Sequence, residues 1–263
     1  MQNYRPLIAC RIGCYGEFLD DAWTHLPSLG IRHIETMCPD ASELPELRTK
    51  LKDHGLAASS LHCVCDIKRD DVVEVLKPQF DLFPEFGTRI CFTSVHAGDL
   101  PRETVWKRLR EIGDAAEARD VVVAMETHPD LVENAKNSRT TMEAVNHPNI
   151  RVNFDTANIY YYNEGCSAVD DLRDSVEFVA SVHLKDSSGK YRTWDFPALG
   201  QGVVDYPGVF QIMSDRGFPG PFTMELEGTE GVTLDRDGCL KHIADSAMYL
   251  QSIGVLDLAA RSP

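Results

Sequence analysis

The chain reads as a (β/α)8 barrel, an α/β fold forming a single domain over residues 1–263. Apolar, strand-like runs alternate with helix-patterned segments eight times along it. The connections are short, so the strands must run parallel, and in a chain of this size a closed barrel is the favoured solution. No composition shift or Pro/Ser-rich linker divides the sequence. A doubly wound open sheet is the alternative. No GxGxxG turn follows any strand, which weakens a dinucleotide-binding version of it.

Residues 6–12 read as the first strand and 17–29 as a helix ended by Gly30. Residues 31–37 form the second strand. Ser42 is expected to cap a helix that carries Leu44, Leu47 and Leu51 on one face and stops at Gly55. The third strand covers 56–63. Asp70 and Asp71 open the next helix, where negative charge suits the N-terminus, and Pro78 or Pro84 is expected to break it. Residues 89–95 are the fourth strand, and 101–119 a long helix with Val105, Leu109 and Ile112 facing inward. The fifth strand, 121–126, is an unbroken run of β-branched and apolar residues that stops at Glu126, as a strand buried on both faces does. A short helix over 138–145, a sixth strand over 150–154, a helix over 169–178 and a seventh strand over 179–182 follow. A long loop covers 185–202, a helix stopped by Gly217 covers 206–216, and the eighth strand covers 221–226. An amphipathic helix over 235–253, ended by Gly254, closes the fold.

Composition bounds the function. Apolar content of 43% and charged content of 25% are those of a soluble globular protein. A net charge of -15 opposes nucleic-acid binding, which needs a basic face, but leaves room for a small ligand met by local basic residues. No apolar run approaches the roughly 20 residues of a membrane helix. Residues 1–6 lack the basic and apolar regions of a signal peptide, so a cytoplasmic location is expected. Among the eight cysteines, Cys10/Cys14 and Cys63/Cys65 are close pairs without the repeated CxxC spacing of a structural zinc site. Buried free thiols are expected, with Cys63 and Cys65 as candidates to line a pocket.

The chemistry concentrates at strand ends. A carboxylate ending a buried strand is costly unless it is paired, protonated or metal-bound. Glu126, Asp155, His183 and Glu225 end the fifth to eighth strands, and the loops of a barrel converge at that face. Taken singly, each is explained as a strand-end group that caps a helix or meets solvent. Four in succession point to one site. Three carboxylates and an imidazole form a hard ligand set suited to one divalent ion, Mn²⁺ first, with Mg²⁺, Co²⁺ or Zn²⁺ as alternatives. Without a metal, the converging carboxylates would repel one another and raise at least one pKa.

Met125-Glu126-Thr127-His128-Pro129, Asn153-Phe154-Asp155-Thr156-Ala157-Asn158, Val182-His183-Leu184-Lys185-Asp186, the stretch from Leu199 to Tyr206 and Gly220-Pro221-Phe222-Thr223-Met224-Glu225 resemble motifs of the xylose-isomerase-like TIM-barrel superfamily, also called the sugar phosphate isomerase/epimerase family. The resemblance covers the second half of the chain. It implies that Glu126, Asp155, His183 and Glu225 bind one metal, and that Glu126 and Glu225 also shuttle protons as catalytic residues, one on each face of the substrate. A chelated carbonyl acidifies the adjacent C–H, and proton removal gives a metal-bound enediolate. Reprotonation on the opposite face epimerises, on the neighbouring carbon isomerises, and loss of a β-hydroxyl dehydrates. The expected function is therefore a sugar or keto-polyol isomerase or epimerase of carbohydrate metabolism. A metal-dependent dehydratase of an inosose-like keto-cyclitol and a non-catalytic sugar-binding barrel are the alternatives. The superfamily's abasic-DNA endonucleases use three metals and additional histidines, and the acidic charge opposes that reading.

Around this core, Asn158 occupies a substrate-contact position where the epimerases more often have histidine. Lys185 is expected to point the same way as His183, either to hold substrate or to form a surface ion pair. Arg192, in the loop with Trp194, resembles the superfamily's substrate-binding arginine. His62 and His96 end the third and fourth strands and are candidate pocket residues, and Glu35 follows the same logic. Glu227 competes with Glu225 for the metal, and His128 is placed in a supporting loop. No compact basic phosphate cradle is visible, so a small non-phosphorylated sugar or polyol is the expected partner. The resemblance further implies that such barrels often form homo-oligomers.

Overall fold

A computed structural model describes residues 4–257; residues 1–3 and 258–263, on which the expectations for the N-terminal segment and for the outer bounds of the domain fall, lie outside the described residues. The strands are β1 (Ile8–Arg11), β2 (His33–Met37), β3 (Ala57–His62), β4 (Ile90–Thr93), β5 (Val122–Glu126), β6 (Ile150–Asp155), β7 (Val179–Leu184), β8 (Asp195–Phe196), β9 (Phe222–Met224) and β10 (Gly228–Thr229). Strands β1 to β7 and then β9 pair in parallel, and β9 closes on β1, giving the expected eight-stranded barrel. Strands β8 and β10 stand apart as an antiparallel pair built from the loops after β7 and β9.

The helices are α1 (Leu19–Ser28), α2 (Leu44–Asp53), α3 (Val72–Phe80), α4 (Phe83–Phe86), α5 (Arg102–Glu117), α6 (Ala135–Val145), α7 (Asn158–Tyr162), α8 (Ala168–Ser175), α9 (Tyr206–Asp215) and α10 (Arg236–Ser252). Their apolar faces pack on the outside of the barrel; Val105, Leu109 and Ile112 of α5 are fully buried, as their spacing predicts. Burying three such side chains contributes about 1.5–3 kcal/mol each relative to exposure. Among the described residues no helix is long and apolar enough to cross a membrane. All eight cysteines are free, and Cys63 and Cys65 pack in the apolar layer.

Several boundaries differ from expectation. Ser42 does not cap α2: Glu43 holds that position and its Oε2 accepts from the Asp40 amide at 2.9 Å, while Pro45 in the first turn removes a donor that would need a cap. The first helix starts at Leu19 rather than at residue 17, because Gly16 at φ 54° interrupts a 3-10 segment over Ile12–Phe18. Pro78 is tolerated inside α3, and the break falls after Phe80, with Pro84 starting α4. Helix α6 begins three residues before Ser138, since the Asn134 side chain accepts from the Asn137 amide at 3.0 Å. Helix α7 was not expected. Asp155 Oδ1 creates it by accepting the Ala157 and Asn158 amides, each at 2.8 Å.

Candidate metal centre

Strand register carries the four expected ligands to one point. Glu126 and Asp155 are the last residues of β5 and β6, His183 is next to last in β7, and Glu225 directly follows β9. Asp155 and His183 are register partners. All four are buried, and one ligand atom from each lies within 4.8 Å of the others.

Each side chain is held by a neighbour. Asp155 spends Oδ1 on α7, which leaves Oδ2 without a hydrogen bond, 3.0 Å from Lys185 Nζ. His183 turns Nδ1 toward Glu225 Oε2 at 3.2 Å and Glu126 Oε1 at 3.6 Å, while Nε2 lies 3.2 Å from Glu35 Oε1. Ser60 Oγ donates to Glu35 Oε2 at 2.8 Å. A carboxylate on the far nitrogen favours the Nε2–H tautomer and leaves the Nδ1 lone pair for a cation. Ser94 Oγ donates to Glu126 Oε2 at 2.6 Å, and His128 Nδ1 stands 3.2 Å from the same oxygen. Glu225 takes the Arg11 guanidinium on Oε1 and Lys185 Nζ on Oε2 at 2.9 Å.

Charge at this point is unbalanced. Glu35, Glu126, Asp155, Glu225 and, at the rim, Glu227 surround the two permanent cations Arg11 and Lys185. Burial, reinforced by Glu225 and Glu126, pushes Asp155 up to about 7 against the pull of Lys185. Burial also acts to raise Glu225, but Lys185, His183 and Arg11 outweigh it and hold that carboxyl well below the usual range. For Glu126, burial and Glu225 are outweighed by the His183 contact, His128 and Lys185, and the net direction is down. Burial disfavours the His183 imidazolium, yet Glu35, Glu225 and Glu126 raise its pKa well above the ordinary value. The surplus negative charge, the unbonded Asp155 Oδ2 and the unbonded His183 Nδ1 fit a divalent cation.

Two predictions follow from this geometry. Cation affinity should rise from roughly pH 6 to 8, because binding requires ionised Asp155 and neutral His183, both of which hold their protons more tightly than usual. Calorimetry in buffers of different ionisation enthalpy should show net proton release below pH 7, and no release would contradict it. Glu35→Gln should weaken metal affinity by about 10–100-fold by loosening His183, without removing a ligand. A metal titration reads this directly, and an unchanged affinity would show that Glu35 has no orienting role.

The remaining expected residues divide. Asn158 lines the cavity over the cluster, with its Nδ2 donating to the Thr127 carbonyl at 3.1 Å. Lys185 is fully enclosed in the centre instead of making a surface ion pair, and it bonds Glu225 and Glu227 as well as facing Asp155. His62 lies beside the centre, 3.3 Å from Arg11, with burial lowering its pKa. His96 falls three residues past β4, is exposed, stacks on His128 and bonds the Pro129 carbonyl at 2.7 Å. Arg192 is exposed on its loop with its guanidinium over the Tyr191 ring, outside the cavity lining, whereas Trp194 lines it. Arg11 and Ser94 went unnoticed in the sequence. Arg11 ends β1 and carried the same strand-end signal as Glu126; Ser94 follows β4 and carried none.

The chain belongs to the xylose isomerase-like TIM barrel family, whose model matches residues 25–253. No curated protein sequence matches it. Solved structures share the fold at low identity. A xylose isomerase-like TIM barrel protein from Mycobacterium smegmatis in complex with magnesium is 19% identical with a TM-score of 0.76, covering 97% of this chain and 97% of that one. A 3-keto-D-glucoside 4-epimerase from E. coli is 15% identical with a TM-score of 0.72, covering 94% and 100%. A D-allulose 3-epimerase from Methylomonas sp. in complex with D-allulose is 16% identical with a TM-score of 0.72, covering 95% and 97%.

Proposed function

We propose that the protein is a divalent-metal-dependent isomerase or epimerase acting beside a carbonyl of a non-phosphorylated sugar or keto-polyol. The observation that carries this reading is the buried, charge-imbalanced cluster of Glu126, Asp155, His183 and Glu225 at the mouth of the barrel. Sugar epimerases among the structural relatives support it. Glu126, Asp155, His183 Nδ1 and Glu225 would hold the ion, Mn²⁺ being the expected one. When bound, it supplies Lewis acidity that makes the C–H next to a carbonyl removable by a carboxylate.

The chain's own groups divide the remaining work. Glu126, tethered by Ser94 and flanked by His128 rather than pinned by permanent cations, accepts the proton from carbon. Glu225, held ionised between Arg11 and Lys185, is the shuttling group of the opposite face: the proton returned to carbon there comes from the Lys185 ammonium, which donates to Glu225 Oε2 and recovers a proton through its outer partner Glu227. Lys185, enclosed and protonated, places a positive charge where a substrate oxygen gains electron density. Asn158 and Trp194 line the space above and orient the ligand. A cytoplasmic setting suits the eight free thiols.

Proton NMR in deuterated water tests the reading, with the Mg²⁺-loaded protein and a panel of ketoses, aldoses and inososes. Deuterium is expected at a carbon next to a carbonyl, together with an epimer or isomer. Loss of water would move the assignment to a dehydratase, and no exchange with any compound would remove proton transfer altogether.

A further inference from the structure

Three cavities at the barrel mouth lie side by side and share walls. The one over the metal centre, about 350 Å³, is walled by Glu126, Asn158, Lys185 and Trp194. A second, about 400 Å³, shares Arg11, Trp194, Glu225 and Glu227 with it. A third, about 380 Å³, shares Cys14, Gly16, Leu226 and Glu227 with the second. Glu227 therefore borders all three, and the second cavity adjoins both the one over the metal centre and the far chamber.

The far chamber has a different chemistry. Tyr15, Phe18, Pro197, Leu226, Leu234 and Ile243 form its walls, contributed by the loops after β1, β7 and β9 and by α10. Among the described residues, Glu17 and Glu227 are its charged lining residues, and no lysine or arginine lines it. Val232 and Leu234 also line it and remain 58% and 37% exposed, an apolar edge that water covers poorly. His242 lines it too, and its Nε2 is buried without a hydrogen-bond partner. A pocket of apolar walls with a few polar atoms is the usual form of a small-molecule site.

We propose that this chamber receives a neutral, largely apolar substituent of the substrate, whose oxygenated sugar or polyol head lies at the metal centre. The inference rests on the metal centre being the reaction site. Two carboxylates, with no lysine or arginine beside them among the described residues, disfavour a phosphate or carboxylate tail. The apolar area gives a neutral tail its binding energy. A bare monosaccharide fills only the inner cavity and leaves this energy unused.

The test uses the full-length, Mg²⁺-loaded protein and the neutral dye N-phenyl-1-naphthylamine, whose fluorescence rises in an apolar site. Enhancement is expected in the wild type and is expected to disappear in Leu234→Arg and in Val232→Arg, exposed positions that tolerate the charge without unfolding. Phenyl β-D-glucopyranoside should displace the dye about tenfold better than methyl β-D-glucopyranoside. No enhancement, enhancement untouched by both substitutions, or equal displacement by the two glucosides would overturn the proposal. Deuterium exchange measured on the same preparations keeps the two readings apart. Dye binding lost in both variants, with no exchange on any panel compound, would leave the chamber standing and remove the proton-transfer function. Exchange without dye binding would do the reverse.

Discussion

Glu126→Gln is expected to lower deuterium exchange by about 10²–10⁴-fold, the usual contribution of a positioned general base. The amide keeps an oxygen for the cation but cannot take a proton. With its remaining oxygen toward the cation and His183 Nδ1, its NH2 group would face Ser94 Oγ, a hydroxyl that can turn to accept from it, so the fold around β5 should persist. Metal content measured beside exchange separates the two roles of the residue. A variant that retains the ion and loses exchange supports Glu126 as the base, whereas one that exchanges at the wild-type rate removes it from the reaction.

Lys185→Met should produce the second large effect, and its size depends on the metal. Lys185 Nζ stands 3.0 Å from Asp155 Oδ2, 2.9 Å from Glu225 Oε2 and 2.8 Å from Glu227 Oε2. Removing one partner of a buried ion pair costs about 3–5 kcal/mol, because the remaining charges lose their compensation. The metal-free variant should therefore unfold at markedly lower temperature than metal-free wild type. Adding Mn²⁺ should recover more stability in the variant than in wild type, since the ion neutralises the same carboxylates. Activity should stay low in either state, because the charge facing the substrate oxygen is gone. Equal thermal stabilities of the two metal-free proteins would show that Lys185 does not balance this cluster.

The sequence made the barrel and its candidate ligands legible for different reasons. Strands such as β5 are buried on both faces, so an unbroken apolar run marks them without any turn signal. Glu126, Asp155 and His183 could be read as a set because a barrel places successive strand ends on one rim. What remained hidden depends on contacts between segments far apart in sequence. Arg11 meets Glu225 across 214 positions and Glu35 meets His183 across 148, and neither pairing leaves a local pattern. The enclosure of Lys185 is also invisible in sequence, since a lysine two residues past a strand ligand reads equally as a surface ion pair. Arg192 has the loop position that resembles a substrate contact, while its backbone lies at φ 50° and its guanidinium lies over the Tyr191 ring, an arrangement no local sequence pattern announces. Helix α7 arose from one side-chain oxygen of Asp155, a cap that no periodicity announces.

The central claim is that one divalent cation, held by four strand-end residues, organises the site. Anomalous diffraction at the manganese edge, from crystals grown with Mn²⁺, tests it most directly. A single strong peak is expected within about 2.0–2.3 Å of Glu126, Asp155, His183 Nδ1 and Glu225. A peak confined to the other acidic cluster, Asp114, Glu117 and His147 on the surface, or no peak at the barrel mouth, would contradict it.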